Sequence, residues 1–252
     1  NGLQNAGGFL TNNGTVVWAG STHYGYGNAI IHNAGLWQCF ANNNLSHQGD
    51  TNRFFNAGTL LKVGGASSTT IGWPVFNTGM VETRIGTLTF PNPYTQTAGQ
   101  TLLTGGNLNF SQPFHLQGGL LGGSNTITGT ITNSALVQPG FAGAGQLSII
   151  GGSYVQTGAG HLDIQLGGTN VGSGYDRLAV SGSVTLDGTL DVTLLDPFVP
   201  AISNSFRVFT FTSRGGDFTN VTGLLLTTNL ALQSSYTSGA LDLPGAMFTA
   251  SH

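Results

Sequence analysis

The chain is 252 residues long with a formal net charge of −3, and only 6% of its residues are charged, against about 25% in an ordinary soluble domain. Its six cations, Arg53, Lys62, Arg84, Arg177, Arg207 and Arg214, form no basic stripe, which excludes the electrostatic footprint of a nucleic-acid binder. The single cysteine, Cys39, excludes an internal disulfide and a cysteine-rich zinc set, and no apolar run reaches the roughly 18 residues that a membrane-spanning helix needs.

Hydrophobic residues make up 39% of the chain, enough to build a core. Asn, Thr, Ser and Gln take the place of charge, so the exposed faces are expected to be neutral and hydrogen-bonding. The first third is crowded with aromatic residues: Trp18, Tyr24, Tyr26, Trp37, Phe40, Phe54, Phe55 and Trp73. They read in two ways. Bulky side chains can plug the open end of a stack, which has no neighbour on its outer side. Alternatively, flat rings make an assembly or ligand face for subunit docking or sugar stacking; its candidates are Trp18, Tyr24, Tyr26, Trp37, Phe40 and Trp73. Cys39 is expected to be a small buried apolar side chain, with an intermolecular disulfide as the alternative. Asp50-Thr51-Asn52-Arg53 reads as a turn closed by an Asp to Arg contact.

From residue 33 onward a turn phrase returns at near-constant distance, as Asn33-Ala34-Gly35, Asn56-Ala57-Gly58, Asn77-Thr78-Gly79 and Thr97-Ala98-Gly99. Each step matches one solenoid coil, whose short strands and turns consume about 20 to 25 residues. Asn tolerates the left-handed region and its amide can bond the same side chain one coil away, while Gly supplies positive φ at no steric cost. Between the phrases, Thr59-Leu60-Leu61-Lys62-Val63, Val81-Glu82-Thr83-Arg84-Ile85, Thr87-Leu88-Thr89-Phe90 and Thr126 to Ile131 read as strands. Gly or Asn interrupts nearly every window long enough for a helix. Ordinary hairpins in an antiparallel sheet are the alternative, but they recur about every 8 to 12 residues without a longer period.

Tyr94 to Leu102, Asn133 to Gly140, Gly145 to Thr157, Gly158 to His161 and Leu162 to Gly168 resemble the passenger regions of bacterial autotransporter adhesins. So do Tyr175 to Gly182, Leu186 to Val192 and Phe206 to Phe209. The resemblance is to exported proteins with autotransporter-associated strand repeats and spans about residues 93–243; the first ninety or so residues match less well. It implies the C-terminal coils of a right-handed parallel β-helix and a secreted or surface-displayed scaffold, with no catalytic residue to carry over. Scarce Lys and Glu with abundant Asn and Thr point the same way. Asn1 opens the sequence with no charged-then-apolar leader before it, so a targeting segment is expected to have been removed or to lie outside it.

A catalytic reading has little to stand on. Asp163, Asp176, Asp187, Asp191 and Asp196 fall in one region and read as turn caps and solvated strand positions, with calcium as the next alternative; no Asp-rich nonapeptide of the calcium-binding kind is present. His23, His32, His47, His115, His161 and His252 show no metal-ligand spacing, and no serine sits in a Gly-x-Ser-x-Gly elbow. Asn13, Asn44, Asn109 and Asn220 head acceptor triplets for N-linked glycans. Pro197 and Pro200, in the irregular segment 196–205, mark the expected end of the regular coils.

The expected fold is therefore all-β: a right-handed parallel β-helix, or β-solenoid, with coils over residues 1–195, aromatic-rich over 1–92, and final strands with a C-terminal β cap over 196–252. The expected function is that of a non-enzymatic extracellular structural protein that assembles head to tail with itself into surface filaments or matrix. No cofactor, metal, nucleic acid or membrane insertion is expected. A monomeric surface adhesin binding glycans or host surfaces is the alternative, and a polysaccharide-acting β-helix enzyme stands third.

Overall fold

A computed structural model describes residues 4–6, 8–20, 22–47, 51–227 and 229–247. They contain strands and turns and no helix, and the chain divides into two compact units, Asn1–Leu121 with Asn125–Thr132 and Gly122–Ser124 with Asn133–His252. Asp50 and His252 lie outside the described residues.

In the first unit each coil lays down one strand in each of three parallel sheets before the next coil begins. The first sheet runs from Gln4–Ala6 through Thr22–Tyr26, Asn44–His47, Ser68–Ile71, Thr87–Phe90 and Asn107–Phe110 to Asn125–Thr128. The second takes Phe9–Asn12, Ile30–Asn33, Arg53–Asn56, Val75–Asn77, Tyr94–Gln96 and Phe114–Leu116, and the third Thr15–Trp18, Leu36–Cys39, Thr59–Lys62, Met80–Thr83 and Gln100–Leu103. This is a β-solenoid, and the hairpin alternative fails because the strand pairings of the unit are parallel. Alternate side chains point inward. The interior therefore receives Trp37, Leu60 and Val81 from the third sheet, Phe54, Val75 and Tyr94 from the second, and Ile71, Leu88 and Phe110 from the first. Each such side chain contributes about 1.5–3 kcal/mol by leaving water.

The repeated turn phrase supplies the register. Asn12, Asn33, Asn56 and Asn77 point inward at one corner, and each amide donates to the next: Asn12 Nδ2 to Asn33 Oδ1 at 2.7 Å, Asn33 to Asn56 at 2.7 Å and Asn56 to Asn77 at 2.8 Å. Asn77 passes the chain to Gln96 Oε1 at 3.1 Å. The glycines serve a different purpose from the one expected. Gly35, Gly58 and Gly79 are not left-handed; a Cβ on each would lie 2.1 Å from the carbonyl oxygen of Gly14, Gly35 and Gly58 respectively, so glycine is required by close approach. Of the four phrase glycines only Gly99 has positive φ, at 71°. There one more residue separates the ladder side chain, Gln96, from the phrase glycine than at Asn77 and Gly79, and the left-handed glycine takes up the extra length.

In the second unit the third sheet contains Leu136–Pro139, His161–Leu166, Thr189–Leu194 and Asn220–Thr222, and the second Tyr154–Gln156, Ser183–Leu186 and Ser213–Gly216. The first sheet adds Gln146–Ile150, Arg177–Val180 and Ser205–Thr210 in parallel. Coils are longer here: Gln146 pairs with Arg177, 31 residues on. After residues 195–204 one further parallel coil forms before the direction reverses. Ala240–Met247 then pairs antiparallel with Ser205–Thr210, and Leu230–Leu232 and Ser235–Tyr236 pair antiparallel with it, capping the first sheet.

Candidate functional site

The outer face of the third sheet in the second unit carries an open groove lined by Leu136, His161, Asp163, Asp191, Val192, Thr193 and Thr222. His161 and Asp163 project from one strand, and Asp191 and Thr193 from its neighbour, with Asp163 and Asp191 in direct register. The two carboxylates are already engaged. Gln138 Nε2 donates to Asp163 Oδ2 at 2.9 Å and Thr193 Oγ1 to Asp163 Oδ1 at 3.2 Å. His161 Nδ1 donates to Asp191 Oδ2 at 2.8 Å and Thr222 Oγ1 to Asp191 Oδ1 at 2.6 Å. Burial pushes the Asp163 carboxyl up and the Asp191 charge adds to this, while the bonds from Thr193 and Gln138 pull the other way. Every oxygen of these two carboxylates has a donor and both hydroxyls point at carboxylates, so the cluster ties adjacent coils together. Among the described residues no group of three His, Cys, Asp or Glu side chains could hold a metal ion.

The second sheet of the first unit presents a different surface. His32, Phe55 and Phe76 are register partners on successive coils and point outward. Their rings stack, His32 on Phe55 at 4.9 Å with 9° between planes and Phe55 on Phe76 at 5.1 Å with 21°. Phe9, 75% exposed, lies over His32 at 6.4 Å, and Phe76 is 38% exposed. Near-parallel rings at such centroid separations are offset, so each leaves an edge and part of a face open to water. The row continues with Thr95 and His115, and Arg53 projects beside Phe55 from the same strand. None of these outward side chains is a carboxylate.

The structure removes the three tryptophans from the expected ligand face. Trp18, Trp37 and Trp73 are 2%, 2% and 1% exposed. Trp18 and Trp37 meet edge to face at 6.1 Å, Trp37 meets Phe54 at 5.5 Å, and Trp73 Nε1 donates to Ser46 O at 2.9 Å. Trp18 and Trp37 occupy inward positions because they share the alternation phase of Leu60 on the third sheet, and Trp73 is buried in the bend between Ser68–Ile71 and Val75–Asn77. Tyr24, half-buried, stacks with the exposed Tyr26 at 6.4 Å, and Phe40 is exposed in a turn, so these three remain at the surface but form no row. Asn13, Asn44 and Asn220 are exposed and Asn109 is half-buried.

Some buried polar groups escape a reading of the sequence. Lys62 is fully buried beside Cys39, its partner across the third sheet, and its Nζ donates to Gly64 O at 2.8 Å and Thr69 Oγ1 at 3.0 Å. Burial pulls the amine down and pushes the Cys39 thiol up to about 12. The phase of Leu60 is the available signal, since Lys62 lies two residues further along the same strand. Asp176 is buried instead of solvated; it accepts from Gly145 N at 2.7 Å and Gln165 N at 2.9 Å, and burial raises its carboxyl to about 7. Asn52 is also buried, bridging Ala29 N at 2.8 Å and Gly25 O at 2.9 Å.

By sequence comparison the chain matches no family model and no curated protein.

Proposed function

We propose that the chain is a non-enzymatic structural β-solenoid, exported and displayed outside the cell, whose copies join end to end. The observation that carries this reading is that each unit leaves strand edges uncovered among the described residues. Gln4–Ala6, Phe9–Asn12 and Thr15–Trp18 open the three sheets of the first unit, and Ser213–Gly216 and Asn220–Thr222 close the second and third sheets of the second unit, with no further strand beyond them among the described residues. Such edges template pairing with another chain unless charge, proline or a cap blocks them. The antiparallel cap covers the first sheet only. Large apolar side chains are exposed on the first coil, Phe9 at 75% and Val17 at 59%, and Leu225, 70% exposed, follows shortly after the last strand of the third sheet. The two units differ in net charge. The first unit has three Arg or Lys against two acids and the second has three against seven. The sequence resemblance to autotransporter passengers and the low charge support export.

Sedimentation velocity across a concentration series tests it. Growth beyond the mass of one chain, reversed by Val17→Asp or Leu225→Asp, is the expected result. A single chain at every concentration overturns it. The outward rings at His32, Phe55 and Phe76, the middle one half-buried, favour the second reading, adhesion to glycans, which does not require assembly.

A further inference from the structure

We propose that the outer row of the second sheet in the first unit, built on His32, Phe55 and Phe76 with Arg53 beside it, is a binding strip for a linear acidic polysaccharide. The rings are one per coil, offset-stacked at 4.9 and 5.1 Å. An extended polysaccharide advances per sugar by nearly the same length, so its C–H faces can meet successive ring edges and half-open faces. Rings held by the sheet and by one another are already ordered, which lowers the entropic cost of contact.

Charge selects the acidic class. Arg84 is bound to Glu82, Arg207 to Asp242, Arg214 to Asp217 and Arg177 to Gln146, and Lys62 is buried. Arg53 is exposed and is the one guanidinium whose head group has no partner among the described residues. A guanidinium at the side of the strip can take a uronate carboxylate in two parallel hydrogen bonds. His115 lies further along the same row, where the described outward side chains include no carboxylate to repel an anionic chain. Many weak, repeated contacts along one polymer would then act together.

Affinity electrophoresis and calorimetry with polygalacturonate and alginate, against neutral hydroxyethyl cellulose, test the strip on the full chain. The expected result is binding of the acidic polymers, weakened by salt, and at least about tenfold weaker for Phe55→Ala with Phe76→Ala. Arg53→Gln is expected to erase the preference for acidic over neutral polymer, and Ile85→Ala, elsewhere on the surface, to change nothing. Arg53→Gln alters an exposed head group and keeps the test valid should the double variant unfold. No binding, equal binding of the neutral polymer, or indifference to both strip variants overturns the proposal. So does loss of self-association in place of polysaccharide binding, which would make the row an assembly contact. The strip can be present in a single chain, so its failure leaves end-to-end joining untouched.

Discussion

Asn33 Nδ2 donates to Asn56 Oδ1 at 2.7 Å, and the two residues are register partners at one inner corner of successive coils. Each amide is thus both donor and acceptor in a chain that excludes water, where an unpaired group costs its full desolvation penalty.

Asn56→Ala should expose that cost. It removes the acceptor of Asn33 and the donor to Asn77 Oδ1 and Met80 O. A loss of about 2–4 kcal/mol is expected in urea unfolding, and a loss under about 1 kcal/mol would show that the ladder follows the fold without supporting it.

Gly58→Ala places a Cβ 2.1 Å from Gly35 O, a backbone atom that cannot move without its coil. Destabilisation of more than about 2 kcal/mol is expected. Gly14→Ala, where nothing lies within 4 Å of the added Cβ, is the control and should stay within about 1 kcal/mol of the parent.

Asp176 gives the second unit a dependence on pH. Burial raises the carboxyl from its ordinary 3.8 to about 7 in the folded chain. Between those values the folded state binds more protons than the unfolded one, so stability falls as pH rises from about 4 to about 7. The fall should be on the order of 4 kcal/mol at most. Denaturation midpoints of the parent should drop across that range, and those of Asp176→Asn should flatten; parallel curves would remove Asp176 as the source.

Lys62 works in the opposite direction at alkaline pH. Its amine is lowered from 10.5 by burial, so at this site the unfolded chain binds more protons between the lowered value and 10.5, and the Lys62 contribution to stability rises with pH, against the fall contributed by Cys39, whose buried thiol is raised from 9.0 to about 12. Lys62→Met should remove this rising contribution, so that stability falls more steeply with alkaline pH than in the parent. At neutral pH it should be at least as stable as the parent, by up to about 2 kcal/mol. A variant whose alkaline curve runs parallel to the parent's would remove Lys62 as a contributor.

Much of the fold is legible between residues 33 and 99 alone, because a coil-length period, an inward amide and a small residue at each corner leave few alternatives to stacked coils. Phase is harder. Proximity in the chain groups Trp18, Trp37 and Trp73 with Tyr24, Tyr26 and Phe40, yet alternation assigns Trp18 and Trp37 inward and a bend buries Trp73. His32, Phe55 and Phe76 look unrelated in sequence, since a whole coil separates each from the next; only alignment by coil brings them into one row. Asp163 and Asp191 are recognisable as strand positions, but their mutual partners arise from longer coils, with Arg177 paired 31 positions after Gln146, that the first period does not foretell. Asp176 carries no local signal, because its two donors, Gly145 and Gln165, come from other coils or distant positions.

The close seating of Gly35 under Gly14, Gly58 under Gly35 and Gly79 under Gly58 has a genetic corollary. A deletion from Ala34 to Asn56 would rejoin Asn33 to Ala57 and Gly58, restoring the same corner phrase with Asn33 facing Asn77. The first unit is in this sense modular: a whole coil is a heritable cassette, and lengthening or shortening by one requires no new joint.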